Sequence, residues 1–263
     1  MMLTGNAIRR VVLDQAHRAG EGHIGSALCV ADILAVLYRD VVAGRLRGDG
    51  RDRVVLSKGH AALALYAALY LSGEMSAQRL LEYCGAGSEL GIHPQHGVPG
   101  VEFTTGSLGQ GLSFGTGCAL AARLKQEPWL TYVLCSDAEC DEGAMWEAAM
   151  FAAHHRLGNL VTIVDYNRQQ AMGTTESVLS LGDLRLRWES FGWRAVEIDG
   201  HDEDALRAAF ALTRGDRTKP VVVIANTVFG KGVDFMEGKL RWHYASMTDA
   251  DHTRALASLG HTT

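Results

Sequence analysis

The sequence predicts an α/β fold: a doubly wound, mainly parallel sheet with helices on both faces. Three observations carry this. Apolar runs of strand length alternate with longer stretches of helical period. Several of those runs end in small polar residues. No internal repeat, linker or low-complexity tract divides the 263 residues. Strands that alternate with helices are joined by crossovers and therefore lie parallel. The length suits one large α/β domain, so a single domain over 1–263 is the economical reading.

Residues 6–19 and 27–43 read as helices. Ala27, Val30, Ile33, Leu34 and Leu37 recur at three- to four-residue steps and make one apolar stripe. Between the two, Gly20-Glu21-Gly22-His23-Ile24-Gly25 reads as a turn. Val54-Val55-Leu56 is a short strand running into Ser57-Lys58-Gly59-His60, and a helix over 61–72 follows at once. Strand, polar turn, helix is the layout of a ligand-binding edge in an α/β sheet. Residues 85–106 are rich in glycine, hold Pro94 and Pro99, and read as a long loop; such loops in compact domains are often functional. A helix over 108–126, a buried strand over 132–135, a helix over 141–156 and a strand over 160–164 come next. Two more strands, 193–198 and 220–225, are separated by helices at 180–191 and 202–214.

Hydrophobic residues make up 47% of the chain, enough for a large core. The net charge is −5 and there is no basic stripe, which argues against a nucleic-acid partner. Cys29, Cys84, Cys118, Cys135 and Cys140 are odd in number and no two have CxxC spacing. Buried reduced thiols are therefore expected, not a disulfide framework or a zinc site. The N-terminal MMLTGNAIRRVVLDQAHRAG is amphipathic and charged throughout, without the apolar core of a signal peptide. No run of ~18 uncharged apolar residues occurs. The expectation is a cytoplasmic protein that does not enter a membrane.

Two strands end in residues suited to a hard cation, Leu134-Cys135-Ser136-Asp137 and Val164-Asp165-Tyr166-Asn167. The spacing from Asp137 to Asn167 is that of one β-α-β crossover, which brings both side chains to the carboxyl edge of adjacent parallel strands. A carboxylate, an amide oxygen and a nearby main-chain carbonyl are the ligands Mg²⁺ takes. The ion completes its octahedron with phosphate oxygens and water. A metal-bridged diphosphate thus fits better than a free metal cage, although Asp and Asn alone are ordinary caps and turn formers. A second signal is glycine at 106, 109, 111, 115 and 117, opening a helix after Thr104-Thr105. Backbone there can approach a ligand closely; tight helix packing is the plainer reading, expected at Gly115 and Gly117. The third signal is His23, His60 and His93, each in a turn beside glycine or proline, with His243 in Arg241-Trp242-His243-Tyr244. Converging loop histidines suit hydroxyl or phosphate recognition and proton transfer, whereas one alone is usually solvated. His17, His96, His154, His155, His201, His252 and His261 receive no role.

Taken in order, five stretches resemble the N-terminal half of transketolase: Glu21-Gly-His-Ile-Gly-Ser26, Leu56-Ser-Lys-Gly-His60, Gly106-Ser-Leu-Gly-Gln-Gly111, Asp137-Ala-Glu-Cys-Asp-Glu-Gly143 and Val164-Asp-Tyr-Asn167. His243 looks like that family's late histidine. The likeness covers nearly the whole chain, and five motifs in register are specific. The run from Trp146 to Asn159 looks particularly like split transketolases, in which two chains make the enzyme. The resemblance implies thiamine diphosphate and Mg²⁺ as cofactors. It implies that Asp137 and Asn167 hold the metal, with the main-chain oxygen of Gln169. His60 and His243 would reach the diphosphate and the reacting centre. Gly106, Ser107 and Leu108 would line the thiamine, with Ala138 beside the diphosphate. His23 and His93 would contact sugar hydroxyls, and Glu142 would sit at the subunit contact between cofactor sites. The implied reaction moves a two-carbon ketol unit from a ketose phosphate to an aldehyde. The chain stops near where the family's pyrimidine-binding domain would begin. The implied partner is therefore a C-terminal transketolase subunit carrying that domain and its activating glutamate, in an α2β2 assembly.

The family's Gly-Asp-Gly is Ser136-Asp137-Ala138 here. The added side-chain atoms are expected to crowd a diphosphate. If Ala138 had to adopt φ > 0, the strain would be ~1 kcal/mol or more. Other readings are a different thiamine diphosphate enzyme (a 2-oxo acid dehydrogenase α chain or a deoxyxylulose phosphate synthase fragment), a subunit delivering the two-carbon unit to a lipoyl group or carrier protein, and a non-catalytic structural subunit. The histidine set favours transketolase over the first, because a 2-oxo acid has no sugar hydroxyls to bind. Retained Asp137, Asn167, His23, His60 and His243 argue against a scaffold, which needs none of them.

Overall fold

A computed structural model describes residues 2–260, which leaves His261 outside the described residues. Five parallel strands form one sheet: β1 (Arg53–Leu56), β2 (Thr131–Ser136), β3 (Leu160–Tyr166), then, later in the chain, Arg194–Asp199 and Val221–Asn226. Between β3 and these lies a two-residue hairpin, β4 (Gln169–Gln170) with β5 (Gly173–Thr174), so the last two sheet strands are β6 and β7. The sheet order is β1-β2-β3-β7-β6. Consecutive apolar residues alternate between its faces, as a sheet covered on both sides requires. Val54, Leu56, Tyr132, Leu134, Val161 and Ile163 pack into one core, while Val55, Val133, Cys135 and Val164 pack into a second.

The first core is roofed by α1 (Gly5–Ala19), α2 (Ile24–Cys29), α3 (Ala31–Val36) and α4 (Ala62–Leu71), and the short α5 (Ala77–Leu80) contributes Leu80. The second is covered by α6 (Gln110–Leu124), α7 (Gly143–His154) and, after the single-turn α8 (Thr175–Val178), by α9 (Leu184–Ser190). The remaining helices, α10 (Glu203–Leu212) and α11 (Asp249–Gly260), return to the first face. The doubly wound architecture expected from the sequence is the one observed.

The structure adds α5, the β4–β5 hairpin, α8 and α11 to the elements read from the sequence, and it differs from that reading in the following places. The helix read over 27–43 is α2 and α3 separated at Val30, followed by a π-helical turn over Leu37–Val41. Val30 leaves helical backbone (φ −89°, ψ 1°), yet every residue of α2 and α3 is buried, so the apolar pattern runs through the break unchanged. The helix read over 180–191 is only α9, because Asp183 caps it by accepting from the Leu186 N–H at 2.9 Å. The expectation that Gly115 and Gly117 both pack tightly holds for one: a Cβ on Gly115 would lie 2.3 Å from Val133 Cγ2, whereas Gly117 faces open space. The five cysteines are free thiols, three of them buried. No helix among the described residues is long and apolar enough to cross a membrane.

Candidate active site

A cavity of about 510 Å³ opens at the carboxyl ends of the strands. His23, His60, His93, Gly106, Leu108, Ser136, Ala138, Glu142, Asn167, Gln169 and His243 line it. Thus nearly every residue singled out from the sequence converges on one space. Asp137 is fully buried beneath the lining, and Ser107 is exposed and stands outside it.

The histidines come from four separate segments. His23 has left-handed backbone (φ 59°) at the start of α2, and its ring centroid lies 5.8 Å from that of His60, 6.4 Å from His93 and 5.5 Å from His243. His60 and His243 are 5.7 Å apart. Gly22 makes this approach possible: a Cβ there would fall 2.3 Å from the carbonyl oxygen of Tyr244. Burial lowers the pKa of His23, His60 and His243, the last to about 4, and neighbouring histidines and Lys58 add to it. Neutral imidazoles each offer one donor and one acceptor. The Nδ1 atoms of His23 and His243 are buried without a hydrogen-bond partner among the described residues. Buried polar atoms are rarely left so unless something else binds them.

Asp137 ends β2. Its Oδ1 accepts from the Ala138 N–H (3.0 Å); Oδ2 accepts from the Arg168 N–H (2.9 Å) and the Thr175 hydroxyl (2.8 Å). Burial raises its pKa to about 7, and nearby Asp165 also pushes it up, against the Thr175 hydroxyl and Lys58. Arg168 adopts left-handed backbone (φ 59°), which turns its N–H to Asp137 and lets the Gln169 N–H donate to Asn167 Oδ1 at 2.9 Å. Strain of this kind in a non-glycine residue concentrates at functional sites. Ala138 opens a 3-10 turn (Ala138–Asp141) and is not at positive φ. The backbone strain expected of alanine after Asp137 is therefore absent. Ser136 Oγ is turned back to accept from the Glu139 N–H at 3.3 Å.

The sequence reading missed two buried polar clusters behind the lining. Glu139 is fully buried and takes a hydrogen bond from Ser57 Oγ, another from the Gly109 N–H (2.9 Å) and a third from the Ser136 N–H (2.8 Å). It ties the ends of β1 and β2 to the start of α6. Gly109 is left-handed (φ 81°), and a Cβ there would meet Glu142 Cβ at 2.7 Å. In the second cluster the fully buried Lys58 and Asp165 form an ion pair beside Asn167. Both residues stood inside the quoted motifs. The only sequence signal was a charge within two residues of the apolar runs 54–56 and 160–164; which group each one meets cannot be read from it. Of the histidines given no role, His201 bonds Asp32 (2.7 Å) and the Val228 N–H, and His17 stacks on His252 at 4.3 Å, joining α1 to α11.

Comparison with known proteins decides the family: residues 2–263 match the family described as "Transketolase, thiamine diphosphate binding domain". This chain belongs to the transketolase family. It is 39% identical to a 6-deoxy-6-sulfo-D-fructose transketolase subunit of Clostridium sp. (strain MSTE9), over 97% of this chain and 94% of that one. It is likewise 39% identical to one of the apulose-4-phosphate transketolase subunits of Phocaeicola vulgatus, over 94% of this chain and 89% of the relative. The crystal structure of Campylobacter jejuni transketolase superposes with a TM-score of 0.92 at 31% identity, covering 98% of this chain and 42% of that one. Against human transketolase the identity is 36%, over 91% of this chain and 39% of the human protein. The chain thus spans about two fifths of these longer transketolases and nearly all of the subunits. The chain is accordingly a thiamine diphosphate binding domain of that family.

Proposed function

We propose that this chain is the diphosphate-binding subunit of a two-component, Mg²⁺-dependent transketolase that moves a two-carbon ketol unit from a sugar phosphate or similar ketose to an aldehyde. The observation that carries the reading is the convergence of four loop histidines over Asp137 and Asn167 at one cavity. Thiamine diphosphate, when bound, supplies the nucleophilic carbon and the electron sink for ketol transfer.

The residues present fit that group. Asp137 accepts three hydrogen bonds, and a carboxylate has about four acceptor sites, so one remains on Oδ1 for a cation. Asn167 Oδ1 has a second lone pair free after the Gln169 N–H, and the main-chain oxygen of Gln169 is the third protein ligand proposed. On this reading His60 and His243 would hold the diphosphate and reacting-centre end, and Gly106 and Leu108 would line the ring. His23 and His93 hold sugar hydroxyls, each as donor or acceptor. Exposed Glu142 at the rim is assigned to the contact between cofactor sites.

The partner carries the pyrimidine-binding domain, and α2β2 is the simplest closed arrangement of two such chains with two partners. Two relatives matched nearly end to end are named as subunits, which supports a separate partner. Their names specify sulfofructose and apulose 4-phosphate, so the donor class proposed is a ketose bearing an anionic group. The test is ketol transfer by the co-purified pair, with wild-type chain and with His23→Ala/His93→Ala. Lost hydroxyl contacts should raise KM or lower kcat/KM at unchanged cofactor affinity. Wild-type turnover in the double variant would remove the sugar reading.

A further inference from the structure

Behind Asn167 lies a cluster that does not reach the cavity. Asp165 and Lys58 are fully buried and ion-paired. Asp165 Oδ1 accepts from the Thr227 hydroxyl; Oδ2 accepts from Lys58 Nζ, from Cys29 Sγ (3.0 Å) and from Asn167 Nδ2 (2.8 Å). These donors come from the ends of β1, β3, β7 and α2. Only Asn167 among them lines the cavity, so the cluster touches the site through Asn167, while the charges of Lys58 and Asp165 reach His60, His243 and Asp137 at longer range.

A primary amide has an oxygen and an NH₂ of nearly equal size, so packing cannot decide which end faces a ligand; hydrogen bonds must. Here both ends are specified. The Gln169 N–H holds the oxygen, and Asp165, ringed by donors, takes only the nitrogen. The opposite orientation would set an oxygen against a carboxylate and an NH₂ against a main-chain N–H, leaving two buried groups unpaired. It would also aim a donor at a cation.

We propose that Asp165, clamped by Lys58 and Thr227, is a positioning residue that fixes the Asn167 amide with its oxygen toward the metal. The inference rests on the reading of Asn167 as a ligand, and it adds a reason for a buried ion pair whose stabilising value is otherwise small or negative. Neither Asp165 nor Lys58 touches the cofactor.

The test separates amide order from metal binding. Asp165→Asn alone strands a buried lysine, so the working variant is Lys58→Met/Asp165→Asn, which removes both charges. The first readout is the side-chain NH₂ resonance pair of Asn167 in the metal-free full chain, assigned by its loss in Asn167→Ala. Wild type should give one pair, slow to exchange with solvent; the double variant should give a second set or fast exchange. The second readout is Mn²⁺ affinity, followed by electron paramagnetic resonance with thiamine diphosphate on the co-purified pair. It should fall at least tenfold in the double variant. A single, protected amide in the double variant overturns the inference whatever the metal does. A loosened amide with wild-type Mn²⁺ affinity, in this variant and in Asn167→Ala alike, removes Asn167 from the metal site and takes the inference with it.

Discussion

Asp137 is where burial and charge oppose each other most directly. Burial pushes its carboxyl up to about 7 in the folded chain, from 3.8 for an unperturbed one. The folded state therefore holds this proton longer than the unfolded state does. The group's contribution to stability is fullest below about 4 and is lost as pH rises toward 7. A divalent cation beside the ionised carboxylate reverses that loss. The rise in Tm caused by Mg²⁺ and thiamine diphosphate should then be larger at pH 8 than at pH 6, by thermal melting of the co-purified pair. An equal rise at both pH values would count against Asp137 as a ligand. Asp137→Ala should abolish Mg²⁺-dependent cofactor binding while leaving the circular dichroism spectrum unchanged, and calorimetry showing wild-type affinity would sink the assignment. Ala138 calls for the opposite expectation. Its backbone is helical, so Ala138→Gly relieves no strain and should cost ~0.5–1 kcal/mol of stability without tightening the cofactor. A tenfold gain in affinity by calorimetry would show that the methyl group crowds the diphosphate after all.

The elements were legible where one physical signal dominated. The apolar runs of β1, β2, β3 and β7 are buried on both faces, and such strands read as unbroken hydrophobic stretches. The break at Val30 was not legible, because α2 and α3 are buried all round and their pattern carries no phase. The hairpin β4–β5 was missed for want of length: two residues a side hold no periodicity. The site's lining was legible from turns and spacing, but the clusters under Glu139 and Asp165 are made by contacts across the chain, which no local pattern records. Helix α6 gives a quantitative check at this scale. Gly115→Val would drive atoms into Val133 and should destabilise by ~1–3 kcal/mol. Gly117→Ala, into open space in the same helix, should stabilise by ~0.5–1 kcal/mol. Chemical denaturation of the two variants should show opposite signs; equal effects would mean that α6 does not seat on β2 as described.

At the scale of the whole molecule, the proposal makes this chain half of an active centre. Alone, with saturating thiamine diphosphate, Mg²⁺, a ketose phosphate and an aldehyde, it should give no ketol transfer; clear turnover from a preparation free of host transketolase would overturn the two-component reading. The strand order has a consequence of another kind. The cavity and the groups behind it draw on the ends of β1, β2, β3 and β7, while β6, at the sheet edge with none of its residues buried, contributes nothing to them. Anything gripping those four ends opposes every opening motion that separates them, and leaves the peeling of β6 unopposed. Amide hydrogen exchange should therefore slow along the full length of four strands when cofactor and metal bind, far from any contact with them, while the amides of β6 keep their unliganded rates. Protection confined to the strand tips would mean that the sheet opens piecemeal; protection spreading evenly into β6 would mean that it opens only as a unit.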